Sequence, residues 1–142
     1  MQSTSFHKEL EYALKSGLDG EVCFDKFSRI LYSTDASNYQ IEPIGIVIPK
    51  SIEDVFKTVE IARKYSIPIL PRGSGTSLAG QAVGEALVID FSKYLNKLLS
   101  VDTEGKTARV QPGIYIDTLN QELKPVGLMF GPDPATAKIA TV

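Results

Sequence analysis

The sequence predicts an α+β fold, with a βαββ core and an antiparallel addition. Short apolar runs rich in β-branched residues lie at Gly45–Ile48 and Ile67–Leu70, with an amphipathic segment between them. A third run, Ala86–Phe91, precedes two strand-like segments that a turn containing Gly105 separates. A strand, a helix and a strand in succession favour a right-handed βαβ unit, and the later pair favours a hairpin.

The segment before the first of these strands is predicted to contain one helix. Residues 5–16 place Phe6, Leu10 and Leu14 at helical spacing, and Gly17 is a suitable stop. Residues 20–40 show no sustained period and are predicted to be irregular, with about one helical turn.

The helix between the first two strands is predicted over residues 52–65. Ser51 stands three residues before Asp54, which is a variant of the capping box. The apolar residues at the spacing of a core-facing stripe are Val55, Val59 and Ala62.

The last third of the chain is predicted to form a hairpin and a short helix. The strands are Lys97–Asp102 and Thr107–Gln111, and the helix is Ile114–Leu123, which Pro125 and Gly127 close. The final residues supply neither a helix cap nor the end of a strand pattern, so we expect the chain to stop inside a larger domain.

Composition excludes several function classes. The 15 basic and 17 acidic side chains give a net charge of −2 without a basic block, which predicts no nucleic-acid partner. A single cysteine, Cys23, and a single histidine, His7, leave no material for an internal disulfide, a zinc site or a Ser-His-Asp triad. No segment resembles a signal peptide or a transmembrane segment, so a cytoplasmic protein is expected.

The strongest local signal is the run RGSGTS, Arg72–Ser77, directly after a predicted strand. Alternate glycines let successive N–H groups turn inward as an anion-binding nest, and hydroxyls and a guanidinium add donors for a pyrophosphate. The run is neither a Walker loop nor a Rossmann fingerprint, since Leu78 stands where the third glycine would be. A plain glycine and serine turn is the alternative, and composition alone leaves both open.

A second signal is Gly131–Pro134, a loop that its two prolines make rigid. Such a loop suits a wall against which a planar cofactor packs, with Asp133 towards ribityl or ribose hydroxyls. A stiff surface turn is the alternative.

Together these motifs resemble a known family. IPILPRGSGTSLAGQAV, preceded by IVIPKSIEDV and followed by LVIDFSKYLNKLLSVD, ARVQPGIYIDTLNQEL and FGPDPATAKIATV, resembles the FAD-binding domain of FAD-linked oxidases. This is the vanillyl-alcohol oxidase or PCMH-type family, and the nearer branch is that of glycolate oxidase and D-lactate dehydrogenase. The resemblance covers about residues 25–142 and implies a partial PCMH-type FAD-binding domain there, with its first βαβ subdomain and the beginning of its second, antiparallel α+β subdomain but without the cap domain that contacts substrate. Residues 1–24 are then an N-terminal helix and lead-in.

The resemblance also implies site residues. The pyrophosphate loop corresponds to Pro71, Arg72, Gly73, Ser74, Gly75, Thr76, Ser77 and Leu78, and the flavin side to Pro132, Asp133 and Thr141. Family members with a covalent flavin on this loop have histidine where Thr76 stands, so non-covalent FAD is expected. No catalytic residue and no metal ligand are expected in this chain.

The function that follows is the FAD-binding part of an oxidoreductase that oxidises a small 2-hydroxy acid, such as D-lactate, glycolate or 2-hydroxyglutarate, by hydride transfer to flavin. The chain alone is expected to be inactive. The expected partners are FAD, the 2-hydroxy acid and either further copies of the chain or an iron-sulfur domain. The alternative is a free-standing nucleotide-binding or protein-interaction module without catalysis.

Overall fold

The computed structural model describes residues 2–142, which form two sheets and several helices. The elements are α1 (Gln2–Gly17), β1 (Glu21–Cys23), α2 (Lys26–Leu31), β2 (Gly45–Ile48), α3 (Ile52–Lys64), β3 (Ile69–Arg72), β4 (Leu87–Asp90), β5 (Leu98–Asp102), β6 (Thr107–Val110), α4 (Ile116–Leu123) and a 3-10 turn (Lys124–Val126). Within this range, no helix has both the length and the apolar character needed to cross a bilayer.

The larger sheet has the strand order β1-β2-β4-β3, in which β4 is parallel to both of its neighbours and β1 is antiparallel to β2. The predicted βαβ unit is present, but β2 and β3 are not adjacent because β4 lies between them. All four residues of β4 are buried, whereas β3 contains Pro71, which cannot donate a ladder hydrogen bond. The apolar strand therefore takes the centre and the proline-containing strand takes the edge.

The prediction for residues 20–40 included about one helical turn, which α2 confirms, but it missed strand β1. Three residues form β1, too short to show a period, and six form α2. Asp25 caps α2, because its side chain accepts a hydrogen bond from the backbone N–H of Ser28. The other predicted elements are present with ends shifted by at most three residues.

Each face of the larger sheet is covered. Leu10 and Leu14 of α1 pack with Ala62 of α3 against Val47 and Leu87 on one face. The opposite face carries a cluster formed by Ile46, Ile48 and Val88, with Tyr32 and Tyr94 packed against it. The hairpin β5–β6 and α4 enclose a separate cluster around Ile114, Leu119 and Leu123.

The buried side of α3 differs from the prediction. It carries Asp54, Thr58 and Ala62, whereas Val59 is 44% exposed. The Asp54 carboxylate accepts hydrogen bonds from the backbone N–H groups of Asp19 and Lys50, both at 2.9 Å, and Thr58 donates to the Asp54 carbonyl. Polar side chains occupy the core side because their partners lie there, which hydrophobic periodicity cannot indicate.

We expect Asp54→Ala to lower the free energy of unfolding by about 3 kcal/mol, because it leaves two backbone N–H groups without their charged acceptor. Urea denaturation measures this change. Glu53→Ala, on the exposed side of the same turn, is the matched control and should change stability by less than about 0.5 kcal/mol. Equal effects of the two substitutions would contradict the role assigned to Asp54.

Candidate functional site

A cleft of about 540 Å³ opens at the carboxyl end of β3. Ligands of open parallel sheets bind at this end of the strands. Three segments line the cleft: residues 31–36, residues 72–78 and residues 134–139. The first of these segments was not predicted to belong to a site.

The loop that follows β3, residues 73–86, contributes unpaired donors to this region. Gly75 has a φ of 70°, a left-handed conformation that favours glycine. The backbone N–H groups of residues 73–78 donate to no acceptor within the described part of the chain. The Ser74 hydroxyl is buried and lacks a hydrogen-bond partner among residues 2–142. Consecutive free N–H groups beside a buried free hydroxyl form a site for an anion.

Arg72 lies at the base of this loop, and its guanidinium is directed at backbone carbonyls. It donates to Ala82 at 2.7 Å, Thr34 at 2.8 Å and Tyr32 at 3.5 Å, and it stacks on the Tyr32 ring. Gly75 lies directly against the guanidinium, so that a Cβ at that position would collide with it. Arg72 therefore joins segment 31–36 to both ends of the glycine loop.

Asp35 and Ala36 make further hydrogen bonds to the same loop. The N–H of Ala36 donates to the Gly75 carbonyl at 3.1 Å, and the Asp35 carboxylate accepts from the N–H of Ala82 at 3.3 Å. Ser37 hydrogen-bonds to Asp35 and lowers the pKa of its carboxyl group. The sequence offered one signal for this arrangement, an aspartate two residues before a serine, but it indicates only a local turn.

A smaller polar cavity of about 290 Å³ lies on the other side of Gly73 and Ser74. There the Tyr32 hydroxyl donates to Asp90 at 2.5 Å, and Asp90 also accepts from both the N–H and the hydroxyl of Ser92. Burial, together with the Asp90 carboxylate, raises the pKa of Tyr32 far above its usual range. Tyr32 is therefore a neutral donor at physiological pH.

The third lining segment is held at the start of α4. The backbone N–H groups of Ile116 and Asp117 donate to carbonyls of Ala140 and Ala137, which satisfies two donors of the first helical turn. Thr141 pairs with Tyr115 in an isolated bridge.

The predicted site residues are only partly brought together. Thr141 reaches the glycine loop, since its side chain fills the space that a Cβ on Gly73 would need. The cleft itself is lined by Arg72, Ser74, Gly75, Thr76 and Leu78. The predicted residues that do not line the cleft and for which no contact with Thr141 is seen are Pro71, Ser77, Pro132 and Asp133, of which the two prolines and the aspartate are exposed. The adjacent residues Pro134, Ala135 and Thr136 line the cleft instead.

Comparison with known proteins agrees with this geometry. A family model described as FAD binding domain matches residues 43–142. The D-2-hydroxyglutarate dehydrogenase of Escherichia coli (strain K12) is 36% identical over 141 residues, which are 97% of this chain and 14% of that protein. Glycolate oxidase subunit GlcD of Bacillus subtilis (strain 168) is 34% identical over 116 residues, which are 80% of this chain and 25% of that protein.

A solved structure shares the fold. The crystal structure of p-cresol methylhydroxylase with substrate bound matches 96% of this chain and 28% of its own, with a TM-score of 0.81 and 21% identity. The chain thus spans a small part of the length of each of these proteins. Because the family model matches 100 of the 142 residues, the chain belongs to the FAD binding domain family, and it shares its fold with p-cresol methylhydroxylase.

Proposed function

We propose that this chain supplies the FAD-binding part of a flavoprotein that oxidises a small 2-hydroxy acid, and that the FAD pyrophosphate lies on the glycine loop. The observation that carries the proposal is the row of free N–H groups at residues 73–78 beside the buried, unpartnered Ser74 hydroxyl. Pyrophosphate oxygens are acceptors that these donors fit. Flavin, when bound, supplies an acceptor for the hydride on the α-carbon of the substrate.

The residues of this chain would bind and orient the cofactor. The N–H groups of the loop and the hydroxyls of Ser74 and Thr76 would hold the pyrophosphate, and Thr141 lies beside Gly73 on the same loop. A contact of Ser77 with the pyrophosphate, and contacts of Pro132 and Asp133 with the flavin, stay predictions, because these residues do not line the cleft.

The substrate class rests on the relatives, whose names specify D-2-hydroxyglutarate and glycolate. Within the described residues, the titratable side chains that line the cleft are Asp35 and Arg72, and hydrogen bonds to backbone groups hold both. Neither is free to act as a base towards substrate. The catalytic base of the proposed reaction would therefore come from outside this chain.

The alternative of a nucleotide-binding or protein-interaction module without catalysis gains no support from the fold or from the relatives. A cytoplasmic location, self-association and an iron-sulfur partner domain stay predictions from the sequence.

The reaction is tested on the protein that contains this chain, purified with its flavin. Under anaerobic conditions, D-2-hydroxyglutarate, glycolate and D-lactate are added separately and the flavin absorbance near 450 nm is followed. We expect one of them to bleach it, while the corresponding L-enantiomers, or acetate for glycolate, leave it unchanged. Bound flavin that no 2-hydroxy acid reduces would overturn the substrate class and leave the cofactor assignment intact.

Gly75→Ala should weaken FAD binding by at least about 10-fold, because the side chain opposes the left-handed φ and displaces the Arg72 guanidinium below the loop. Flavin fluorescence titration measures the Kd. Gly84→Ala is the matched control in the same loop, since its Cβ would meet only a Leu70 methyl at an ordinary 3.7 Å. Wild-type affinity in the Gly75 variant would remove the loop from the cofactor site.

The flavin is expected to be non-covalent. A threonine hydroxyl at position 76 is a poor nucleophile towards the flavin methyl group, unlike an imidazole. Precipitation of the flavin-loaded protein with trichloroacetic acid should leave all of the flavin in the supernatant. Yellow pellets that keep their flavin after washing would contradict this.

A further inference from the structure

The segment Tyr32–Ala36 precedes the region that the family model matches, yet it lines the cleft and contacts the glycine loop at two places. We call this segment together with Arg72 the brace. Its contacts run between residues about 40 positions apart in the sequence. Hydrogen bonds within the described loop join only residues 79–86, so the brace supplies the hydrogen bond to Gly75.

The donors of Arg72 are largely used inside the brace. Three of the five guanidinium N–H donors point at the carbonyls of Tyr32, Thr34 and Ala82. The guanidinium also contacts the Tyr32 ring, whose centroid lies 5.2 Å from the guanidinium carbon, and it lies against the backbone of Gly75. The planar guanidinium reaches the three carbonyls from two separate nitrogens, whereas the three donors of an ammonium group all lie on one nitrogen.

The hydrogen bond from Ala36 sets the orientation of one peptide group. It holds the Gly75 carbonyl towards segment 32–36 at 3.1 Å. Because the C=O and N–H of a trans peptide point in opposite directions, the N–H of Thr76 is turned away from the brace. Asp35 holds a second peptide group of the loop, because its carboxylate accepts a hydrogen bond from the N–H of Ala82.

The charge of Asp35 is the second argument. A carboxylate that lines an anion-binding cleft opposes the ligand by Coulomb repulsion. Its hydrogen bonds to Ser37 and Ala82 lower its pKa, so it is ionised at neutral pH. The charge of Asp35 weakens anion binding, so its presence in the cleft needs another reason. The loop shape that it maintains is that reason.

We infer that Arg72 and Asp35 are positioning residues, which hold the glycine loop in its anion-binding shape, and that Arg72 is not itself a ligand of the pyrophosphate. This inference rests on the proposed function, which places FAD on that loop.

Asp35→Ala gives opposite results under the two views. If Asp35 were only a nearby negative charge, its removal would tighten FAD binding. The brace predicts at least about 10-fold weaker binding, which is 1.4 kcal/mol. Glu42→Ala removes an exposed carboxylate from the same connection between α2 and β2, where it pairs with Arg29, and should leave the Kd unchanged. Tighter binding in the Asp35 variant would overturn the inference.

Arg72→Lys and Arg72→Ala separate the positioning role from a ligand role. A phosphate-binding arginine would be replaced in good part by lysine, which also binds phosphate. The brace predicts that both variants lose FAD affinity to a similar extent, within about threefold of each other. It also predicts that the slope of log Kd against log salt concentration is the same in Arg72→Ala as in the wild type, because no ion contact to the ligand is lost. Rescue by lysine together with a reduced slope in Arg72→Ala would make Arg72 a ligand.

Amide hydrogen exchange without cofactor provides a readout that is independent of FAD. Peptides containing Ala36 and Ala82 should exchange faster in Arg72→Lys, Arg72→Ala and Asp35→Ala, while peptides from β4 keep wild-type protection. Unchanged exchange at both alanines would overturn the brace. If the wild-type protein bound no FAD while the three variants still exchanged faster at Ala36 and Ala82, the proposed function would be contradicted and the brace would stand.

Discussion

The cleft depends on how three backbone carbonyls are satisfied where segment 31–36 meets the glycine loop. The carbonyls of Tyr32, Thr34 and Ala82 converge on the guanidinium of Arg72, and a backbone carbonyl that loses its donor is costly to the extent that it is buried. Arg72 supplies the donors for all three from one planar group. The position of that group is fixed by the sheet, because Arg72 is the last residue of β3 and pairs in register with Asp90.

The strand order explains why the Arg72 guanidinium is available to these carbonyls. Since β4 enters between β2 and β3, the chain must leave β3 at the sheet edge, travel through residues 73–86 and return to the centre. A loop of that length needs external support, and segment 31–36 and the segment before Val142 give it from two sides. Asp90 at the end of β4 is partnered by Tyr32 and Ser92, which leaves Arg72 to the carbonyls.

The parts of this arrangement that could be predicted are those written in local patterns. Gly45–Ile48 is a strand because four apolar residues stand between prolines and turns, and Ser51 begins α3 by accepting from the N–H of Asp54. The buried Asp54 and the role of Thr34–Ala36 could not be predicted, because they depend on partners far away in the sequence. A hydrogen bond to a backbone group also imposes no residue type on its partner, so it leaves no pattern. The prediction that Thr141 belongs to the site came from the resemblance alone, and local composition gave no reason for it.

Gly73 and Gly75 are each required by a different contact of the loop. Gly73 is a glycine because the Thr141 side chain occupies the space of a Cβ, and Gly75 is one because of its left-handed φ and the guanidinium beneath it. Gly73 therefore leaves room for Thr141, and Gly75 leaves room for Arg72 of the brace. Ser74 lies between them, and its buried hydroxyl has no partner in the described chain. The spacing Gly-Ser-Gly thus reflects two contacts that hold the loop from opposite sides, with Ser74 between them.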